Sequence, residues 1–241
     1  MTTLVLTAHG STDPRSSATT HAVVSQLRRM RPHLDVRAAF CEQNSPRLGD
    51  VLSDLAREKE RAAVVTPLLL ANAYHARVDI PGLIADSGVR LRVRQADVLG
   101  EDDRLVRVLR ERLARLGVSR RDSGLGVLVA AVGSTDAAVN AQTATVAPAL
   151  AAATRWAGAV TAFATGPHPS VAQAAEQLRA RGAARLVLVP WFLAPGRITD
   201  RVADFARSAG IPMAPPLGAH RLVAATVLDR FDQAMASRAA A

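Results

Sequence analysis

The tetrapeptide Gly-Ser-Thr-Asp occurs twice in this chain, at 10–13 and at 133–136, an offset of 123 residues. At the same offset Pro67 of VVTPLLLA falls on Pro190 of LVLVPWFLA, Phe40 on Phe163 and Pro46 on Pro169. A further pair, VLGEDDRLV at 98–106 and PLGAHRLV at 216–223, is displaced by a few residues, as an altered loop would produce. One offset shared by several landmarks marks a duplicated domain, so a single architecture has to be built twice from halves of about 120 residues.

Within each half, short Val- and Leu-rich runs alternate with amphipathic stretches. The first half carries strand-like runs at 3–8, 34–40, 62–70 and 91–95, with helix-like segments near 16–31, 46–60, 77–87 and 101–116. The second half repeats the order, with strands expected at 125–131, 157–163, 184–193 and 211–214. Continuous apolar strands are buried on both faces, which requires a parallel sheet covered by helices. The expectation is an α/β protein of two tandem domains, each a small parallel sheet of about four strands. One domain spans 1–117, the polar stretch VSRRDSG at 118–124 links them, and the other spans 125–241.

The formal charge is +9, and every basic residue except Lys59 is arginine. Such a surface suits an acidic partner. The arginines are scattered and aromatics make up only 3% of residues, which argues against nucleic acid. Cys41 is the only cysteine, which excludes an intrachain disulfide and suits a reducing compartment. No apolar run is long enough to span a bilayer, and no signal-peptide pattern opens the chain, so a cytoplasmic protein is expected.

Ligands of open parallel sheets bind outside the carboxyl ends of the strands. His9 ends the first strand, Glu42 follows the second and His75 follows the third. Imidazoles with a carboxylate suit a borderline divalent ion such as Fe2+, Co2+, Ni2+ or Zn2+. The duplication supplies an internal control. Shifted by 123, His9 becomes Val132, Glu42 becomes Thr165 and His75 becomes Ile198, whereas Gly10, Phe40 and Pro67 keep their identity. The fold therefore does not require these three side chains. His21 and His33 belong to the surface of the first helix, and His168 and His220 to loops of the second half.

Gly10 and Ser11 stand at a strand-to-helix junction, where backbone N–H groups can hold an anion. No Gly-Lys-Ser/Thr follows, so ATP is not expected. A phosphatase using a histidine nucleophile would carry Arg where this chain has Ala8.

AHGSTDPR after the first strand, joined to PLLLANAYHARVDIP after the third, resembles the sirohydrochlorin chelatases of the class II chelatase superfamily, in their long two-domain form. That resemblance implies ATP-independent insertion of Fe2+ or Co2+ into sirohydrochlorin, for sirohaem or cobalamin synthesis. It implies His9 and His75 as metal-binding, catalytic residues and Glu42 as a third ligand, with one active site per chain. Asn72-Ala73-Tyr74 stands where the family often has Gly near the histidine. Such a tetrapyrrole carries eight carboxylates as the family implies. Ser11, Arg15, Arg47 and Arg77, with Arg197 in the corresponding loop of the second half, are the candidate substrate-binding residues. The metal is expected as substrate, no organic cofactor is implied, and duplication within one chain suits a monomer. Activity is expected to fall below about pH 6 to 6.5, where ordinary imidazole protonates. A metal or tetrapyrrole carrier and a histidine-dependent phosphoryl-transfer enzyme are the rival readings.

Overall fold

The structure, a computed structural model, describes residues 2–237. Strand β1 (Thr2–Ala8) lies at the centre of a parallel sheet with β2 (Val36–Phe40), β3 (Ala62–Pro67) and β4 (Arg92–Gln95), in the order β2-β1-β3-β4. A second parallel sheet has β5 (Leu125–Ala131) between β6 (Gly158–Phe163) and β7 (Arg185–Pro190). Leu4, Val5 and Leu6 are fully buried, as are Val127, Leu128 and Val129 of β5, which is why both central strands read as unbroken apolar runs.

The expected fourth strand of the second half, 211–214, is not a strand. Only one parallel bridge forms there, between Leu188 and Met213. Pro212 has no N–H to donate, and Pro215 with Pro216 ends the segment before a ladder can extend.

Helix α1 (Pro14–Met30) starts at Asp13, whose carboxylate accepts from the Arg15 N–H. Its counterpart α5 (Ala137–Ala144) starts at Asp136, which accepts from Ala138 and Val139. The repeated Ser-Thr-Asp is thus a helix start used twice. Helix α2 (Leu48–Arg57) buries Leu48, Val51, Leu52 and Leu55, a stripe at helical spacing against the first sheet. Chain order continues with α3 (Ile80–Asp86), α4 (Asp103–Arg115), α6 (Val146–Ala151), α7 (Val171–Ala180), α8 (Arg197–Ser208) and α9 (Arg221–Ala236).

The helix expected at 77–87 begins earlier, as a π-helical turn at His75–Asp79 that runs into α3. Pro81 explains the wide turn. It cannot donate to the carbonyl four residues back and its ring crowds that carbonyl, so the turn opens and the Ile80 N–H reaches His75 O instead.

The compact units do not follow the sequence halves. One runs to Gly100 and resumes at Ala219; the other is Glu101–Gly218. Helix α9 belongs to the first unit, where Arg31 pairs with Asp232 and Arg230 donates to the carbonyls of Val98 (3.0 Å) and Leu99 (2.9 Å). Helix α4 belongs to the second, where Arg110 donates to Ala149 O (2.6 Å) and Arg112 to Leu217 O (3.1 Å). Each half has given its last helix to the other's unit. The stretch 118–124, expected as an interdomain linker, therefore lies inside the second unit, fastened by the Asp122–Arg185 pair at 2.5 Å and by Trp156 Nε1–H on Ser119 O at 2.9 Å.

Candidate active site

Backbone pairing beyond the ends of the first sheet assembles the site. Past the named strands, the Cys41 N–H donates to Ala8 O (3.0 Å) and the Glu42 N–H to His9 O (2.9 Å), so the exit of β2 stays registered with the exit of β1. Leu68 N–H donates to Thr7 O (2.8 Å) and starts the β3 exit on the other side. Gly10 makes this approach possible. Its φ is +102°, and a Cβ there would lie 1.8 Å from the Glu42 carbonyl oxygen.

The result is a meeting of side chains 66 residues apart. The His9 and His75 rings lie with centroids 3.9 Å apart, tilted by 34°. His9 Nε2 is 3.1 Å from Glu42 Oε1. His75 Nδ1 is 2.5 Å from Asp79 Oδ2, across the π-helical turn. With the Nδ1 proton assigned to the Asp79 side, His75 keeps Nε2 as a lone-pair donor. His9 Nδ1 is buried and has no hydrogen-bond partner. Among the described residues no three His, Cys, Asp or Glu side chains converge as a ready-made cage for an ion. His9, His75 and Glu42 meet pairwise, through the ring contact and the close approach of Glu42 Oε1 to His9 Nε2.

The electrostatics favour neutral imidazole at His9. Burial lowers its pKa most and the neighbouring His75 lowers it further, while Glu42 and Asp79 push it back up. Burial, then Asp79 and Glu42, raise the Cys41 thiol to about 11, so the cysteine beside the site is an inert packing residue.

The substrate-binding candidates fare unevenly. Ser11 is a loop former: its N–H donates to Asn44 Oδ1 (2.8 Å) and its hydroxyl accepts from Asp13 N (3.0 Å), which fills the expected anion nest. Ser134 does the same with Asn140 and Asp136 in the second unit, so the role belongs to the fold. The Arg15 guanidinium lies along the Asp13 carboxylate, with Nη2 2.5 Å from Oδ2. Arg47 is exposed and reaches Cys41 O at 3.3 Å. Arg77 is exposed within the turn that carries His75. Arg197 is exposed at the first position of α8, in the second unit.

Two residues escaped the sequence reading. Asp79 follows His75 by four, a spacing that puts both on one side of a helical turn, but the helix was expected to begin only at 77. Asn44, which holds the Ser11 loop, carries no signal in the sequence. At the second unit's equivalent edge, Val132 is 39% exposed, the Thr165 hydroxyl donates to Val132 O (2.8 Å), and Ile198 packs on the core, with no imidazole pair among the described residues. His168 and His220 are tied locally, to Gln173 (2.8 Å) and to the Leu222 N–H (3.2 Å).

The CbiX family model matches this chain twice, over residues 3–116 and 126–234. Among curated proteins, the chain is 27% identical over 110 residues to a sirohydrochlorin cobaltochelatase of Sulfolobus acidocaldarius, covering 45% of this chain and 87% of that protein. It is 24% identical over 212 residues to a sirohydrochlorin ferrochelatase of Priestia megaterium, covering 85% of this chain and 77% of that protein. Among solved structures, SirB from Bacillus subtilis with Fe3+ superposes at a TM-score of 0.86 and 20% identity, over 99% of this chain and 97% of that one. That likeness establishes the two-sheet fold.

Proposed function

The chain belongs to the CbiX family, and we propose that it inserts a divalent metal ion, Fe2+ or Co2+, into sirohydrochlorin without ATP. One observation carries the reading: two imidazoles, distant in sequence, meet at 3.9 Å on the carboxyl edge of one sheet, and the duplicate carries Val132 and Ile198 at their positions. The relatives named as sirohydrochlorin cobaltochelatase and ferrochelatase support the choice of substrate.

Metal insertion needs a loosely held ion and a base for two pyrrole N–H protons. A cage of three fixed ligands would hold the ion too well, whereas paired imidazoles and a half-exposed carboxylate suit transfer. In this account His75, braced by Asp79, offers Nε2 to the incoming ion. Neutral His9 supplies the second nitrogen, and Glu42 releases His9 to assist with the ion; as the ion passes to the macrocycle, the freed lone pairs of His9 and His75 each accept one of the two pyrrole protons. Arg15, Arg47 and Arg77 are proposed partners for rim carboxylates, with Arg15 first leaving Asp13. Imidazole and carboxylate donors accommodate Fe2+, Co2+ and Ni2+ alike.

Among the described residues no helix is long and apolar enough to cross a membrane. With Cys41 a free thiol, a cytoplasmic monomer is the proposed setting. The test is anaerobic: sirohydrochlorin and Co2+ in excess over protein, followed by visible absorption. Product forming faster than in the protein-free mixture, over many turnovers, supports the enzyme. A spectral change that stops at one equivalent of protein identifies a carrier instead.

A further inference from the structure

The turn that presents His75 also exposes apolar surface that the fold does not use. Four large hydrophobic side chains stand exposed among the described residues, and two of them, Tyr74 (64%) and Val78 (47%), flank His75 in this one turn. Exposed hydrophobics scattered singly need no explanation, but a pair beside a candidate ligand does. Tyr74 and Val78 are four residues apart, as are His75 and Asp79. Two rows therefore run side by side, one polar and bracing the imidazole, the other apolar and open to solvent.

The ring geometry says what could lie there. An imidazole that donates to an ion at the centre of a flat macrocycle stands upright on the macrocycle plane. The Tyr74 ring is at 83° to the His75 ring, with centroids 6.3 Å apart. A phenol so oriented can lie flat against the same macrocycle face, displaced sideways from the axis, in the offset stack that aromatic rings prefer. Val78 extends the apolar row, and the exposed Arg77 lies between Tyr74 and Val78 in sequence.

We infer that Tyr74 and Val78 form the contact for one face of the tetrapyrrole ring, a role that rests on the proposed chelatase activity and assigns substrate recognition to the turn itself. Tyr74 is the chain's only tyrosine, and its ring rather than its hydroxyl is the working part.

The test is steady-state cobalt insertion with sirohydrochlorin varied at saturating Co2+. Tyr74→Ala raises the KM for sirohydrochlorin roughly tenfold, the scale of one aromatic contact, and leaves the KM for Co2+ unchanged. Tyr74→Phe behaves as wild type. Val78→Ser raises the same KM several-fold. Leu116→Ala, which removes an exposed apolar side chain from the end of α4, changes nothing. Both turn positions are exposed, and unchanged thermal melts confirm folding. Wild-type KM values in Tyr74→Ala and Val78→Ser would overturn the face contact while leaving the chelatase reading intact. A wild-type protein that neither binds nor metallates sirohydrochlorin would overturn both.

Discussion

His9 stands between opposed influences, and their balance can be measured. Burial and the adjacent His75 outweigh the pull of Glu42 and Asp79, so the folded protein holds its pKa below the ordinary 6.5. The unfolded chain then binds this proton more readily than the folded one. The stability linked to His9 is complete above pH 6.5 and is lost as pH falls through the window below it. The activity limb due to His9 moves the same way, below the ordinary imidazole value of 6.5. An NMR titration of the apo protein should place the His9 midpoint below 6.5, and Glu42→Gln should move it lower still, because the carboxylate that raises it is gone. A midpoint above 6.5 in the wild type, or an upward move in Glu42→Gln, would refute this balance.

At the scale of elements, the strand-to-helix turn is a shared part with a separable function. Gly10 and Gly133 have φ of +102° and +99°, and a Cβ at either would overlap a backbone oxygen, of Glu42 at 1.8 Å or of Gly166 at 1.7 Å. Alanine at either position should cost about 2–4 kcal/mol, from the disfavoured backbone and the forced shift. Only Gly10→Ala displaces Glu42 from His9, so urea melts should show both variants destabilised while metallation fails in Gly10→Ala alone. Equal loss of activity in both would contradict the division. The same duplication made much of the site legible beforehand. His9, Glu42 and His75 stood out because strand ends collect ligands and because the copy lacks them. Ser11 was expected to bind substrate, although the copy keeps it as Ser134, and both serines hold their own loop. Asp79 stayed hidden because the widening caused by Pro81 starts the helix two residues before the amphipathic pattern does. The absent strand at 211–214 is a case of apolar pattern overruled by missing N–H groups.

For the whole molecule, the exchange of last helices matters most. An amphipathic helix encodes which face it buries but not which sheet covers it, so the periodicity of α4 was readable and its host was not. Val223, Ala224 and Val227 of α9 are fully buried in the unit that contains His9 and His75. A chain cut after residue 117 should therefore leave α1 and β3 uncovered. It should bind a hydrophobic dye and aggregate, and a co-expressed 118–241 fragment should rescue it. A soluble, cooperatively melting 1–117 fragment would contradict that assignment. The central claim remains the pairing of His9 with His75, and the most direct test is anaerobic cobalt insertion into sirohydrochlorin by wild type, His9→Ala and His75→Ala under identical conditions. Each single variant, still folded, should lose at least about a hundredfold in rate, the scale of removing a metal ligand or a positioned base. Wild-type rates in both variants would contradict it.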